Sequence, residues 1–297
     1  METINKSQSL TMTVFFLTAL LGGGTSVAIR FSNVELAPFW GATIRFAAAG
    51  LLFWLILFLK RIPLPNKHDT IVLLTTGFFA VGISFALLYY GLVRIPASLG
   101  SVIISLGPLM TFFLAILHRL EKFRWQSLIG GLIAVIGIAI AVRAQVGVDV
   151  PLLSVVALMT GSAIAAEGNI IVKMYSPRSD PIATNALTMI SGLLLLMLLS
   201  FAVGEAHNIP VLPATWIAIA YSVIPGTLMV FYMFVWLLGR WSASATHYVV
   251  MLFPIVATIA GNLLAGETIT LTFILGGVLV LAGVWVGALM PFDYTRR

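Results

Sequence analysis

The sequence contains no cysteine. Disulfide bonds, thiolate nucleophiles and cysteine-ligated metal centres are therefore excluded, and cysteine usage does not report the redox compartment. Charge is scarce as well, because only 9% of the 297 residues are charged whereas a soluble domain has about 25%. So little charge cannot cover a soluble surface, and the composition therefore predicts a membrane protein.

The sequence also lacks the short motifs of common enzyme and pump classes. It has no His-Glu-x-x-His metal site, no Gly-x-Ser-x-Gly nucleophile turn and no Gly-x-x-x-x-Gly-Lys phosphate loop. These absences argue against an enzyme and against a pump driven by a nucleotide. We expect no cofactor and no metal ion, and keep a channel or an intramembrane transferase as minor alternatives.

The chain consists mostly of apolar runs that are about as long as a bilayer is thick. The runs are continuous instead of alternating, which favours helices over a barrel because a helix satisfies its own backbone hydrogen bonds. The predicted fold is an all-α membrane protein with ten transmembrane helices. The predicted spans are 12–31, 38–59, 70–92, 98–117, 125–142, 152–172, 182–203, 214–238, 242–264 and 271–289.

Lysine and arginine are distributed unequally between the two sides of these spans, with twelve on one side and three on the other. The positive-inside rule assigns the richer side, and with it both termini, to the cytoplasm. We expect a multi-pass protein of the cytoplasmic (inner) membrane of a bacterium. The expected partners are the lipid bilayer and a small-molecule substrate. The basic residues form no patch on a soluble face, so nucleic acid is not expected; a monomer is compatible with the sequence, which leaves the oligomeric state open.

Residues 84–137 recur without a gap at an offset of 146. Phe85 matches Phe231, Pro108 matches Pro254 and Glu121 matches Glu267. Such a repeat predicts two related halves, 1–146 and 147–297, with five spans each. Because five is odd, the second half enters the membrane from the opposite side, which is typical of transporters that work by alternating access between inverted repeats.

The repeated segments read PLMTFFLAILHRLEKFRWQSLIGGLIAVIG and PIVATIAGNLLAGETITLTFILGGVLVLAG. A proline, then a glutamate, then a glycine-rich span resembles the EamA branch of the drug/metabolite transporter superfamily, as does Arg45-Phe46 in the second span. The first copy departs from the family pattern at Leu120 and Arg124. The resemblance implies a ten-helix secondary transporter, and the run IPASLGSVIISLGPLMT is most similar to bacterial aromatic and general amino-acid exporters. It implies export of small amphipathic metabolites such as amino acids, aromatic ones included; another metabolite, a drug or a lipid-linked head group is the alternative.

Two charged residues and an asparagine lie well inside predicted spans. Arg45 is about two turns into the second span, and Glu167, with Asn169 nearby, is at a similar depth in the sixth. A charge at the bilayer centre costs about 2.5–3.5 kcal/mol, so neither charge can face lipid. In one interpretation Arg45 binds a substrate carboxylate and Glu167 serves the amine or a proton. In the other, each binds helix-end carbonyls or water and holds the bundle together.

Aromatic and polar side chains near the ends of the repeated spans are candidates for a substrate pathway. An aromatic wall suits rings and organic cations through stacking and cation–π contact. The alternatives are anchoring at the membrane interface for the aromatic residues and a neutral hydrogen-bonding role for the histidine. The candidates are Tyr89, Tyr90, Ser101, Trp236, His247 and Tyr248.

Three prolines are predicted to break helices and to serve as hinges. Pro108 and Pro254 lie near the middle of their spans, and proline there should leave the carbonyls of Ile104 and Val250 free. Pro225 lies halfway along the eighth span. The third span has no matching proline, so we expect this last break to lie outside the repeat.

The remaining repeated residues predict structural roles. Glu121 and Glu267 precede the fifth and tenth spans, where a carboxylate favours the positive helix end, so we expect caps rather than a coupling site. Glycines in these two spans predict close helix contact at the periphery of the bundle. They are Gly130, Gly131, Gly137, Gly276, Gly277, Gly283 and Gly287.

Overall fold

The computed structural model describes residues 2–92, 103–142, 151–175, 179–265 and 271–290, and no strand occurs among them. Ser101, Glu267 and the start of the predicted fourth span lie outside these residues. The described residues form ten helices, which we number in chain order. They are α1 (Glu2–Ser32), α2 (Pro38–Leu59), α3 (Lys67–Leu92), α4 (Gly107–Leu117), α5 (Trp125–Val142), α6 (Leu152–Tyr175), α7 (Pro181–Ala202), α8 (Pro213–Leu238), α9 (243–265) and α10 (Leu271–Leu289).

Eight of these helices are long and apolar enough to cross a membrane, while α4 and α5 are shorter apolar helices over the residues described. Most helices begin and end within a few residues of the predicted spans. The exception is α1, which already begins at Glu2. The architecture is therefore an all-helical one with many membrane spans, whereas ten crossings and cytoplasmic termini stay predictions.

Most of the helix packing joins one half of the repeat to the other. Helix α1 packs on α8 and α9, and its counterpart α6 packs on α3 and α4. Helix α2 packs on its counterpart α7, and α5 packs on α10. The two halves therefore make equivalent contacts with each other, as two copies of one plan would.

Helices α3 and α8 each contain one π-helical segment, Phe78–Ile83 and Ile224–Met229. These segments lie 146 residues apart, which is the offset of the sequence repeat. The expectation that the break in α8 lies outside the repeat is therefore wrong. Pro225 removes a hydrogen-bond donor in α8, whereas in α3 the break accompanies close packing of Gly77 and Gly82 against α7.

The other two prolines lie in the first turn of an α-helical segment, Pro108 at the start of α4 and Pro254 inside α9, directly after the 3-10 segment Tyr248–Leu252. Pro108 and Pro254 follow Gly107 and Phe253, which are the first residues of α-helical segments. A proline in the first turn sacrifices no intrahelical hydrogen bond. The Phe253 N–H donates to the carbonyl of Val250, so that carbonyl is not free as the sequence predicted.

Three glutamates each bind the first turn of a helix in the opposite half, and we call these contacts helix-start clasps. Glu35 binds the start of α8, Glu205 the start of α2 and Glu121 the start of α9. Glu205 accepts hydrogen bonds from the N–H groups of Phe39 at 3.0 Å and Trp40 at 2.7 Å. Because first-turn N–H groups have no partner within their helix, the clasps satisfy donors that would otherwise be orphaned.

Glu121 is a cap, as predicted, but of a different helix. It accepts hydrogen bonds from the N–H of Ser244 at 3.0 Å and from its hydroxyl at 2.5 Å. Arg124 pairs with the same carboxylate at 3.3 Å. The helix capped is thus α9 and not the adjacent α5, because the loop before α5 lies beside the start of α9.

Helices α5 and α10 approach each other so closely that their backbones are nearly in contact. A Cβ atom at Gly130 would meet backbone atoms of Gly283 and Gly287, and one at Gly137 would meet the backbone of α10. The predicted close contact is confirmed at these positions. Gly277 differs, because no described atom lies within 4 Å of the place its Cβ would take.

Substituting Gly283 by Ala should destabilise the protein, whereas Gly277→Ala should not. The added methyl at position 283 would collide with the α5 backbone, and overpacking of this kind costs about 1–3 kcal/mol. The measurement is the unfolding temperature of the purified variants in detergent. Equal unfolding temperatures for the two variants would contradict the contact.

Substituting Glu35 by Gln should lower the unfolding temperature at neutral pH, and by less as the pH falls. A hydrogen bond from Thr215, together with those from the backbone of Val211 and Leu212, holds the pKa of Glu35 below its ordinary value of 4.5. The ionised carboxylate therefore adds stability above pH 4.5, and this stability is lost as the pH falls through the lowered pKa.

The test compares unfolding temperatures of wild type and Glu35→Gln in detergent between about pH 3 and about pH 7. Thr215→Val serves as the partial variant, since it removes one of the donors and leaves the carboxylate in place. If the difference in unfolding temperature between wild type and Glu35→Gln is constant across this pH range, the ionised carboxylate of Glu35 does not stabilise the fold.

Candidate functional site

Three phenylalanine rings meet where α2 and α3 of the first half contact α8 of the second. Phe85 and Phe231 follow the two π segments at equivalent positions of the repeat, and their ring centroids lie 6.4 Å apart. Phe46 contacts both, at 4.8 Å from Phe85 and 6.1 Å from Phe231. We call Phe46, Phe85 and Phe231 the aromatic cluster. Sequence reasoning did not select it, although Phe85 and Phe231 are a matched pair in the repeat.

Arg45 lies beside the aromatic cluster and is only 7% exposed. Its Nε donates to the hydroxyl of Thr227 at 2.6 Å, and its Nη2 donates to the carbonyl of Gly226 at 3.2 Å. Both acceptors belong to the π segment of α8, where the Thr227 hydroxyl donates in turn to the carbonyl of Ser222 at 2.7 Å. The break in α8 therefore supplies the acceptors that hold the guanidinium.

Arg45 has no counter-ion within the described part of the chain, where no carboxylate lies within ion-pair distance of it. Its polar neighbour on α3 is the buried Tyr89, and both side chains line one cleft. A buried cation without an anion costs free energy. Because a guanidinium carries five N–H donors, it can bind a further anion, and its fork matches a carboxylate.

A cleft leads from the loop between α1 and α2 to Arg45. Asn33 and Leu36 of that loop line it together with Arg45, Tyr89 and Ile219. Its volume is about 10 Å³, which is close to the space that one water molecule needs, so the cleft is narrow in this conformation. The structure thus brings Arg45 and Tyr89 together in one cleft, whereas their role in a substrate pathway stays a prediction.

His247 joins α9 to α4. Its Nδ1 lies 2.8 Å from the hydroxyl of Thr111, which is also 2.9 Å from the carbonyl of Gly107. The ring of Phe234 packs edge-on against the imidazole at 5.8 Å. These contacts place His247 in a buried hydrogen-bonded set next to Pro108, at the point where α4 begins.

Tyr248 lies in the scaffold rather than along the cleft. Its side chain is fully buried, and its hydroxyl donates to the carbonyl of Ser127 on α5. The ring occupies the space that a side chain at Gly287 of α10 would need. The structure therefore gives Tyr248 a packing role between α9, α5 and α10, in place of the predicted pathway surface.

The other aromatic and amide candidates are partly exposed. The Arg240 guanidinium lies 3.5 Å from the centroid of the Trp236 ring, at the end of α8. Tyr90 lies near the end of α3, and Asn169 lies on α6. Trp236 also packs against the apolar core that contains Leu237 and Tyr248, and its role in the pathway or as an anchor stays a prediction.

Glu167 pairs with a residue that sequence reasoning did not select. Its Oε1 lies 2.7 Å from Nε2 of His118, the residue that follows α4. Its Oε2 is buried and has no hydrogen-bond partner in the described part of the chain. Arg45 and Glu167 therefore have separate sets of neighbours, and no signal in the sequence links His118 to Glu167.

Comparison with known proteins adds to this geometry. A family model described as "EamA-like transporter family" matches residues 9–143 and again residues 152–288. A transporter of Archaeoglobus fulgidus, described as uncharacterized, is 27% identical over 92% of this chain and 96% of its own length. A Salmonella typhimurium protein named "Probable amino-acid metabolite efflux pump" is 25% identical over 91% of this chain and 92% of its own.

Two further similarities concern location and fold. The Escherichia coli (strain K12) protein named "Uncharacterized inner membrane transporter YedA" is 24% identical over 91% of this chain and 88% of its own. A solved crystal structure matches with a TM-score of 0.80 at 16% identity, covering 95% of this chain and 98% of the other. At that identity the structural match concerns the fold alone.

Removing the acceptor of the Arg45 Nε should destabilise the protein only while Arg45 is present. Thr227→Val leaves a buried charged donor unsatisfied, which costs about 1–3 kcal/mol. In an Arg45→Met background the same substitution should cost much less. Unfolding of the four proteins in detergent forms a double-mutant cycle. An equal cost of Thr227→Val in both backgrounds would show that the hydrogen bond does not hold Arg45.

Proposed function

The chain belongs to the EamA-like transporter family, and from this membership we propose that it is a secondary transporter exporting small amphipathic metabolites, amino acids with aromatic side chains among them. It is a multi-pass protein of the inner membrane. We further propose ten crossings with both termini in the cytoplasm, arranged as inverted halves at 1–146 and 147–297. The bilayer and the small-molecule substrate are its proposed partners; nucleic acid is not one, and a monomer suffices.

The observation that carries the proposal is a buried guanidinium that has no counter-ion among the described residues and lies beside three aromatic rings. An amino-acid carboxylate would supply the missing anion at Arg45. An aromatic side chain would stack against Phe46, Phe85 or Phe231 at little entropic cost, because ring contacts of this kind are rigid and bury a large area. The efflux pump named among the relatives supports this substrate class and the outward direction.

Alternating access is supported by the way the halves are joined. Helices α3 and α8 each contain a break at the same repeat position, and both carry residues of the site. We propose that Pro108, Pro225 and Pro254 mark the points where these helices and their neighbours change shape. Under the proposed topology, the cleft that reaches Arg45 opens away from the cytoplasm, so the substrate would leave by this route.

Purified protein in proteoliposomes should exchange labelled aromatic amino acids against the same unlabelled amino acid inside. In Arg45→Ala this exchange should fall by about ten-fold or more, because a hydrogen bond to a charged group contributes about 1.5–3 kcal/mol. Lys60→Ala is the matched control, since Lys60 is an exposed cation at the end of the same helix. The measurement is the initial rate of exchange for a panel of labelled amino acids.

Two outcomes would contradict the proposal. No exchange of any amino acid in the panel would remove the amino-acid assignment and favour another metabolite, a drug or a lipid-linked head group. Flux that is not stimulated by substrate inside the vesicles would indicate a channel. A folded Arg45→Ala protein that exchanges normally would remove the substrate role of Arg45.

A further inference from the structure

The contact between Glu167 and His118 leaves one oxygen of the carboxylate without a partner among the described residues. The pair joins α6 to the end of α4 through one oxygen of the carboxylate, at 2.7 Å. The other oxygen is buried without a partner in the described part of the chain. A purely structural pair would normally satisfy both oxygens, because an unpartnered buried acceptor is destabilising.

The neighbouring charges do not neutralise this carboxylate. Lys173 lies on the same helix, but its ammonium donates to the carbonyls of Leu238 and Trp241. Glu121 is bound to the start of α9. Besides Glu167 itself, the titratable or charged side chains on α6 and on the elements packed against it are those of Lys67, His68, Asp69, Tyr89, Tyr90, His118, Lys173, Tyr175, His247 and Tyr248.

Of these side chains, only His118 forms an ion pair with Glu167 among the described residues. Lys67, His68 and Asp69 lie in the first turn of α3, whereas Gly168, next to Glu167, contacts Ala80 further along that helix. Protonation of Glu167 would therefore change the charge of a pair rather than that of a larger network. His118 follows the last turn of α4, where the negative helix end stabilises a positive charge.

We propose that the Glu167–His118 pair is a proton-binding site that couples export to the proton gradient; this inference rests on the proposed transport function. The side chains are 32% and 31% exposed, so the pair is not sealed inside the protein. In the outward-facing state one proton from outside binds the unpaired oxygen of Glu167 as the substrate leaves, and in the inward-facing state it is released to the cytoplasm before the next substrate binds. Intramembrane carboxylates and histidines serve as proton relays in other transporters.

The structure provides a physical connection between this pair and the substrate site. Gly168, the residue after Glu167, packs so closely on α3 that a Cβ would collide with Ala80. Ala80 belongs to the π segment of α3, and the same helix continues to Phe85 and Tyr89. A change in the packing of α6 at Glu167 therefore alters the contacts of the π segment of α3. The site residues Phe85 and Tyr89 follow this segment on the same helix.

The first test measures two kinds of transport with the same reconstituted vesicles and the same labelled aromatic amino acid. Counterflow without a pH gradient reports substrate binding and alternating access, whereas accumulation under an imposed pH gradient reports coupling. Glu167→Gln and His118→Gln should keep counterflow within about two-fold of wild type but lose about ten-fold of the gradient-driven accumulation. Asp69→Asn is the matched control, because Asp69 forms an exposed pair with His68 at 3.3 Å on α3.

Each result decides between the alternatives. Gradient-driven accumulation by Glu167→Gln equal to that of wild type overturns the proton role while the transport function stands. Loss of counterflow in a folded Glu167→Gln protein overturns it as well, because it shows that the carboxylate binds the substrate amine. Wild-type accumulation that does not depend on the pH gradient also overturns the proton role.

A second test needs no substrate and keeps the inference independent of the amino-acid assignment. Acidification of purified wild-type protein should produce the infrared band of a protonated carboxyl group that is absent from Glu167→Gln and present in Asp69→Asn. Identical acid-induced spectra for wild type and Glu167→Gln would overturn the proton site even if amino acids are transported. Absence of counterflow in wild type, by contrast, would overturn the proposed transport function. The infrared comparison of wild type with Glu167→Gln would then still test whether Glu167 binds a proton.

Discussion

The constraint on which the structure depends is that lipid offers no hydrogen bonds to an unpaired backbone group. Several departures from regular helix in the described chain have a polar partner nearby. The guanidinium of Arg45 binds the carbonyl of Gly226 in a π segment, and glutamates bind N–H groups at the starts of three helices. The polar side chains inside this bundle are therefore positioned by the breaks in its backbone.

The sequence predicts the helical membrane fold well because its signals are directly physical. Span length and continuous apolarity report the thickness and polarity of the bilayer, and the repeat offset reports the duplication. Phe85 and Phe231 match in the sequence, and their rings lie 6.4 Å apart in the structure. Arg45 was selected for a similar reason, since a charge within a span requires a partner.

The roles of residues that depend on which helices pack together could not be predicted from the sequence. Glu121 was expected to cap α5, which follows it in the chain, but its carboxylate reaches the start of α9. Tyr248 and Tyr89 are both aromatic residues of apolar spans, and the sequence does not distinguish their roles. In the structure Tyr248 packs against Gly287 of α10, whereas Tyr89 lines a cleft together with Arg45 of α2. The Glu167–His118 pair likewise arises only from the packing of α4 on α6.

The matched π segments have a consequence for the angular phase of α3 and α8. An α-helix rotates by about 100° per residue, and a π segment accommodates one residue more than the α-helix it interrupts. All side chains that follow are thereby turned by about that angle relative to an uninterrupted helix. Phe85 and Tyr89 in α3 and Phe231 in α8 all come after their segment. The same rotation in both halves directs the two phenylalanine rings toward each other, where an uninterrupted helix would direct them elsewhere.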